Sequence, residues 1–383
     1  MKRESPVLVS TARTAVGKFN GSHRHVSALD LGASAVRGSL EPLSGFIPDQ
    51  VFLGNVVQAG NGQNPARSVA VRAGLPTTVP AITLNNVCLA SMSSVSLAST
   101  LINAGQISSA VVGGFDSMSR ALHGIQLRQA ATYGQGITVD LLETDGLWCS
   151  ISNEGMGLIS DEANIRLQIS RKEQDALAYE SHRRAAMAAE SGRFKKEIFN
   201  DLELVEDEGI RPSTSADRLA QLNPAFMSGG TITAGNASQM SDAGAAGVIM
   251  RHELAFSLDL QPLVEIVDSA IVAGPDLSLH LKPADAIFKL LAQNKLQVED
   301  IGLWEINEAF AGVVLASTHA LNLELDNVNV NGGAIALGHP LGASGFRLVQ
   351  TLAIEMRERQ VDYGIAALCG GGGQGQAILL RLV

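Results

Sequence analysis

Four residues of this chain combine reactive or polar side chains with unusually permissive backbone surroundings. Cys88 directly precedes a stretch with helical apolar spacing, which puts its sulfur near a helix N-terminus. Unpaired N–H groups and the helix dipole favour a thiolate there, and a nearby imidazole would favour it further. Its other reading is a buried structural cysteine. His339 sits in Gly332-Gly333-Ala334-Ile335-Ala336-Leu337-Gly338-His339-Pro340-Leu341-Gly342-Ala343-Ser344-Gly345. So many glycines around one imidazole imply tight turns and close backbone approach. Cys369 opens Cys369-Gly370-Gly371-Gly372-Gly373-Gln374-Gly375. A glycine run destabilises any regular element, so this loop must need its backbone close to something. It lacks the Lys-Ser/Thr ending of a phosphate-binding loop, which leaves N–H groups pointed at a developing oxyanion. Asn307, in Asn307-Glu308-Ala309-Phe310-Ala311, follows an apolar run and fits a helix cap as well as a site.

The elements needed to position these residues follow one plan twice. Residues 81–84 read as a short buried strand, residues 85–88 turn, and a helix follows with Met92, Val95, Ala98 and Ile102 on one face. Gly105 fits its C-terminal cap, and residues 110–114 form the next strand. In the second copy, residues 328–331 read as the strand and the glycine-rich turn carries His339. A helix then buries Phe346, Val349, Leu352 and Met356, and residues 365–368 form a strand ending at Cys369. Two similar α/β halves are expected, each a sheet covered by helices, with ligands at the carboxyl ends of the strands. Between them, residues 118–240 hold more charge and more loop-like sequence, with a capping-box helix start at Ser170-Arg171-Lys172-Glu173. This excursion is expected to cover the site.

Composition narrows the classes. The 383 residues are 46% hydrophobic and 17% charged, enough for large cores and too apolar for a disordered chain. The net charge of -10 argues against general nucleic-acid binding. Arg183-Arg184 with Arg193, Lys195 and Lys196 reads as a solvated helix face. No apolar run approaches the roughly 20 residues that span a bilayer. The three cysteines, Cys88, Cys149 and Cys369, are too few and scattered for a disulfide framework or a metal site. Neither Met1-Lys2-Arg3-Glu4 nor Arg381-Leu382-Val383 reads as a targeting signal, so a cytoplasmic location is expected.

Taken together, the segments resemble the thiolase family along nearly the whole chain. Asn86-Val87-Cys88 with Met92 is similar to its nucleophile segment, and Asn307-Glu308-Ala309-Phe310 to its Asn-Glu-Ala-Phe motif. Gly332-Gly333 through His339-Pro340 and Gly345 resembles its histidine motif, and Cys369 with Gly371, Gly372, Gly373 and Gly375 its second-cysteine motif. Gln63-Asn64-Pro65-Ala66-Arg67 and Thr233-Ala234-Gly235-Asn236-Ala237-Ser238 also have close counterparts.

The resemblance implies a layered αβαβα core. Residues 1–117 with 241–262 would form the nucleophile half, residues 118–240 an inserted loop domain over coenzyme A, and residues 263–383 the second half. It implies that Cys88 carries the acyl group, that His339 takes its proton, and that Cys369 moves the α-proton of acetyl-CoA. One thioester oxygen would meet His339 and a water on Asn307, the other the N–H groups of Cys88 and Gly371. Ser238, Ala234, Leu147, Met156, Phe226, Ala309 and Phe310 would line the pantetheine and acyl channel, with Arg211 near the nucleotide. Cys149 has no implied role and is expected to be structural.

Two departures bear on acyl-chain preference. Gly155-Met156-Gly157 lacks the histidine of the His-Met-Gly run of biosynthetic thiolases, as degradative members do, and Leu279-His280-Leu281-Lys282-Pro283 stands where many members have Met-Gly-x-Gly-Pro. Leu279 and His280 therefore belong to the expected acyl pocket. The activity implied is acetyl-CoA C-acetyltransferase, joining two acetyl-CoA molecules into acetoacetyl-CoA or running in reverse. The alternatives are a degradative 3-ketoacyl-CoA thiolase for longer chains, a decarboxylating ketosynthase or hydroxymethylglutaryl-CoA synthase, and a thiolase-like lipid-binding or scaffolding protein without turnover. Acyl-CoA thioesters would be substrates, with no prosthetic group or metal, and a homodimer or homotetramer is expected.

Overall fold

The computed structural model describes residues 4–128 and 136–383. The first half begins with β1 (Pro6–Arg13) and the short β2 (Gly17–Lys18), then α1 (Ala28–Leu40), β3 (Gln50–Gly54), α2 (Pro65–Arg72), β4 (Ala81–Leu84), α3 (Ala90–Asn103) and β5 (Ser109–Ser117). Local chemistry explains the starts. Ser27 Oγ accepts from Asp30 N ahead of α1, and Asn64 caps α2 with Pro65 in its first turn. β5 is buried along its whole length, so it reads as an apolar run rather than an alternation.

The excursion from 118 to 240 carries two small hairpins, β6 (His123–Ile125) with β7 (Thr138–Asp140) and β8 (Trp148–Cys149) with β9 (Glu154–Gly155). It continues through α4 (Met156–Arg166), α5 (Arg171–Glu190) and α6 (Ala216–Ala220). The Ser170–Glu173 capping box at the start of α5 is formed reciprocally. β10 (Ser241–Arg251) and α7 (His252–Ser257) return to the first half. The second half comprises β11 (Val264–Ala273), α8 (Lys282–Asn294), β12 (Leu303–Ile306), α9 (Ala311–Leu321), α10 (Ala334–Leu337), α11 (Leu341–Arg359), β13 (Tyr363–Gly370) and β14 (Gln374–Leu382).

The strands run in the order β12-β13-β14-β11-β1-β10-β5-β3-β4. The halves meet where Val7 pairs with Glu265 and Leu8 with Val264, so the two half-sheets are hydrogen-bonded into one. Three apolar clusters separate the layers. One packs α1 and α2 on the first half, including Leu53, Val69 and Phe115; another packs α8 and α9 on the second, including Ile287, Val314 and Ile365. The central cluster joins Met92, Val95 and Ile102 of α3 to Phe346, Val349 and Leu352 of α11 between the half-sheets. The architecture is the expected αβαβα layering.

Local expectations give way at several points. β4 is an edge strand with Ile82 49% exposed rather than a buried one, and Arg193 is buried in ion pairs with Glu197 and Glu355 rather than solvated. Residues 328–331 form no strand beyond a single bridge from Val328 to Trp304. Asn329 takes a φ of 49° and clamps Ile306 with its side chain, accepting from Ile306 N at 2.8 Å and donating to Ile306 O at 2.8 Å. An amide side chain thus replaces the backbone ladder. Asn307 does not cap a helix either, because α9 starts at Ala311 with Phe310 in the cap position.

Candidate active site

Cys88 is presented by a sharp elbow. Val87 has a φ of 49°, a strained conformation for a β-branched residue. Asn85 Oδ1 accepts from Val87 N at 3.0 Å, and Ala90 N donates to Val87 O at 3.0 Å, which holds the turn. Polar residues of β14 secure it from the other half. Gln374 Nε2 donates to Asn86 Oδ1 at 3.2 Å, and Ser93 Oγ donates to Gln376 Oε1 at 2.9 Å. These bonds set the elbow against the loop that follows β13.

That loop brings the second thiol. Cys369 lies near the end of β13 with no exposed surface. The N–H groups of Gly371 and of Cys88 itself lie close enough to favour a Cys88 thiolate. A side chain at Gly371 would sit against Val87 and one at Gly370 against Leu89, so the close approach depends on glycine. Gly372 and Gly373 take φ values of 77° and 71°, which reverse the chain into β14.

His339 follows Gly338, whose φ of 113° swings the chain out of α10. Its ring is fixed at both nitrogens. Nδ1 lies 2.6 Å from Ser344 Oγ, and Ser344 Oγ donates to Pro340 O at 2.8 Å. The serine has one hydroxyl proton, so it accepts from Nδ1–H and Nε2 keeps its lone pair. Asn307 Nδ2 lies 3.4 Å from that Nε2, while Asn307 N donates to Ala367 O at 3.0 Å on the strand that carries Cys369. Asn307 thus ties the imidazole to the strand that carries Cys369, and Cys369 in turn neighbours Cys88.

The expected thiolate at the helix end is not what the electrostatics favour. Burial pushes the Cys88 thiol up to about 12; Gly371 N–H and its own N–H oppose this, and the Asp116 charge adds to it. Burial, and then the neighbouring Cys88, push the Cys369 thiol up as well. Burial lowers His339 to about 4, with Arg347 adding to the shift. Loss of hydration outweighs the helix end here, which favours neutral thiols and a neutral imidazole at rest.

Two carboxylates do the positioning, and neither was singled out from sequence. Asp116 accepts from Asn55 Nδ2 at 2.6 Å, Val57 N at 3.0 Å and Gly342 N at 2.6 Å, joining the 55–57 turn to the start of α11 behind His339. Burial raises it to about 6 against these bonds. Glu308 accepts from Ser181 Oγ at 2.6 Å, Ile335 N at 3.0 Å and Asn329 Nδ2 at 3.1 Å, which anchors the glycine run before His339. The readable signals were an acid inside a buried strand and an acid inside a quoted motif.

The channel residues divide. Met156, Leu279, Ala309, Val313, Ile159 and Cys149 pack with Cys369 in one apolar cluster, with Leu277 and Phe310 against it. Leu147 and Cys88 pack on a second cluster with Leu142 and Met118. Phe226, 47% exposed, meets the ring of Phe310 edge-on at 6.0 Å. Ser238 N donates to Ala309 O at 3.1 Å, which seats the 233–238 turn beside this wall. Ala234 and Arg211 are exposed and lie outside both clusters; Arg211 Nη2 donates to Gln239 Oε1 at 3.2 Å. His280 is tied to α9, where Ser317 Oγ donates to its carbonyl oxygen at 3.0 Å. It is fully buried, and its Nε2 lies 2.8 Å from Asn164 Oδ1. Cys149 is closer to the chemistry than expected. Burial pushes its thiol up, but the Ser152 side chain and the N–H groups of Ser152, Ile151 and Gly372 outweigh burial and lower it. Among the described residues, no group of three or more His, Cys, Asp or Glu could hold a metal ion, and no helix is long and apolar enough to cross a membrane.

Comparison with known proteins finds relatives that cover nearly the whole chain. The family model for the thiolase N-terminal domain matches residues 6–253 and that for the thiolase C-terminal domain residues 260–382. A probable acetyl-CoA acetyltransferase of Mycobacterium leprae is 45% identical, the match covering 98% of this chain and 99% of that one. The acetyl-CoA acetyltransferase of Escherichia coli K12 is 42% identical, with 98% of each chain covered. The solved structure of human mitochondrial 3-ketoacyl-CoA thiolase in complex with CoA superposes with a TM-score of 0.95 at 32% identity, covering 100% of this chain and 98% of that one.

Proposed function

The chain belongs to the thiolase family, and on that premise we propose that it is an acetyl-CoA C-acetyltransferase. It joins two acetyl-CoA molecules into acetoacetyl-CoA and CoA, or runs the reverse thiolysis. What supports the reading is Cys88 beside Cys369 and the Gly371 N–H, and the Asn307 amide at His339 joined by its backbone to the strand of Cys369.

In the condensing direction, Cys88 Sγ attacks the first thioester carbonyl and its proton passes to His339 Nε2, the free nitrogen of the imidazole. The carbonyl oxygen becomes an oxyanion, supported by backbone N–H groups of Cys88 and Gly371. Collapse forms the acyl-Cys88 thioester and expels the CoA thiolate, which takes the Cys369 proton. Cys369, now a thiolate in an apolar pocket, is a strong base. It removes the α-proton of the second acetyl-CoA, whose carbanion attacks acyl-Cys88. Cys88 leaves as a thiolate and recovers its proton from the His339 imidazolium. Splitting the transfer over a covalent intermediate replaces one difficult step with two easier ones.

Met156, Leu279, Ala309 and Phe310 form an apolar wall beside Cys369 against which an acetyl group would pack. A degradative 3-ketoacyl-CoA thiolase is the second reading, favoured by Gly155 in place of the histidine of biosynthetic members. Thiolysis of acetoacetyl-CoA and of a long-chain 3-ketoacyl-CoA separates the two: kcat/KM should be higher for acetoacetyl-CoA, and the opposite order overturns the preferred name. The reading includes a role in fatty-acid metabolism in the cytoplasm, a homodimer or homotetramer, and no prosthetic group.

A further inference from the structure

Lys282, the first residue of α8, has a side chain only 2% exposed and lies outside the reacting groups. Its Nζ donates to Gly274 O at 2.7 Å and lies 3.3 Å from Asp276 Oδ1 and 3.9 Å from Asp285 Oδ2. A buried ammonium is costly unless such partners compensate it, so its placement constrains whatever those partners belong to.

They belong to the turn that backs the Cys369 loop. Gly274 N donates to Gly373 O at 2.9 Å. Asp276 O and Leu277 Cα lie against Gly373 so closely that a β-carbon there would collide with backbone. The main chain of Lys282 packs the same way on Gly375. From the other side, Arg166 Nη2 of α4 reaches Asp276 Oδ2 at 3.0 Å and Ser278 Oγ at 3.1 Å. The glycine loop has no side chains of its own to hold it, and two of its residues have positive φ. Its N–H direction at Gly371 is therefore set by what packs behind Gly373 and Gly375.

We propose that Lys282 is a positioning residue: its ammonium clamps the 274–276 turn, and the turn holds the glycine loop so that Gly371 N–H stays aimed at the Cys88 sulfur and the oxyanion it generates. Lys282 takes the place of the second glycine in Met-Gly-x-Gly-Pro, so this clamp is a feature of the chain itself. The proposal rests on the thiolase reading for its consequence in turnover. Wild-type turnover of acetoacetyl-CoA tests that reading separately.

The test compares wild type with Lys282→Met and Asp276→Asn. In Lys282→Met, kcat for acetoacetyl-CoA thiolysis is expected to fall at least tenfold with KM changed less than threefold. Asp276→Asn keeps the Gly274 bond and weakens the charge contact, so a smaller loss in the same direction is expected. The deciding readout is Cys88 alkylation by iodoacetamide followed by peptide mass spectrometry, which needs no turnover. Losing the Gly371 N–H raises the thiol further, so alkylation at a fixed pH should slow and its pH profile move upward. Mere loosening of the fold would expose Cys88 and speed alkylation. Faster or unchanged alkylation in a folded Lys282→Met protein overturns the proposal. If that variant does not fold, unchanged kcat and alkylation in Asp276→Asn overturn it.

Discussion

Ser344→Ala isolates the histidine from the rest of the site. Ser344 Oγ is the acceptor for His339 Nδ1–H and in turn donates to Pro340 O within the first turn of α11. Alanine is a good helix former, so the helix should persist. What changes is the stabilisation of charge. His339 is neutral at rest, its pKa lowered to about 4 by burial, and becomes an imidazolium as Cys88 attacks. A hydrogen bond to a charged group contributes about 1.5–3 kcal/mol, against about 0.5–1.5 kcal/mol for a neutral pair. The Ser344 bond therefore strengthens on the way to the transition state by roughly 1–2 kcal/mol, which corresponds to about a 5- to 30-fold fall in kcat. KM should stay within about twofold, because substrate binding does not charge the ring. Steady-state thiolysis of acetoacetyl-CoA reads kcat and KM together, and a thermal melt checks the fold. A folded Ser344→Ala protein with kcat within twofold of wild type would refute the assignment of His339 as the proton acceptor held through Nδ1.

Further outcomes follow from the same geometry. Cys369→Ala should still form acyl-Cys88 from acetyl-CoA, visible by intact-mass spectrometry, but condensation should be lost; undiminished condensation would favour a ketosynthase-like reaction. Failure of wild type to acylate Cys88 would favour a protein without turnover. Asn307→Ala removes the amide expected to hold a water at a thioester oxygen and should cost about 2.7–4 kcal/mol of transition-state stabilisation, roughly 10²–10³ in kcat, with little change in melting temperature. Stability should depend on pH in a defined way. His182, His280 and His339 have pKa values lowered to about 4, chiefly by burial. Their contribution is present above the unfolded value near 6.5 and is lost as pH falls through 4, on the order of 3 kcal/mol each. Burial raises Glu305 to about 8, so its contribution is present below 4.5 and is lost as pH rises through 8. Denaturant melts across pH should therefore show maximal stability at roughly pH 6–7, and a maximum below pH 5 would contradict the burial of the three histidines.

Much of this protein is legible locally. The glycine run after Cys369 announces a backbone that must turn at positive φ and approach another chain segment, because only glycine does both without steric cost. The Ser170–Glu173 box, Asn64-Pro65 and the three- and four-residue spacing of Met92, Val95, Ala98 and Ile102 likewise encode helix starts and buried faces in residue type and separation. Those signals were sufficient to expect two α/β halves, each with chemistry where a strand meets a loop.

Other features needed the assembled chain. Val87 carries no sequence mark of its left-handed conformation; the elbow is imposed by Asn85, α3 and the polar residues of β14. Asn307 looked equally suited to a cap, and only the start of α9 at Ala311 leaves its side chain to His339. The pKa values of both thiols and of the imidazole depend on how much water the surrounding layers exclude, which no local pattern records. Residue types and spacings determine what each segment can do on its own. Burial and long-range partners decide which of those capacities meet, because desolvation and hydrogen-bond geometry exist only once distant segments have packed.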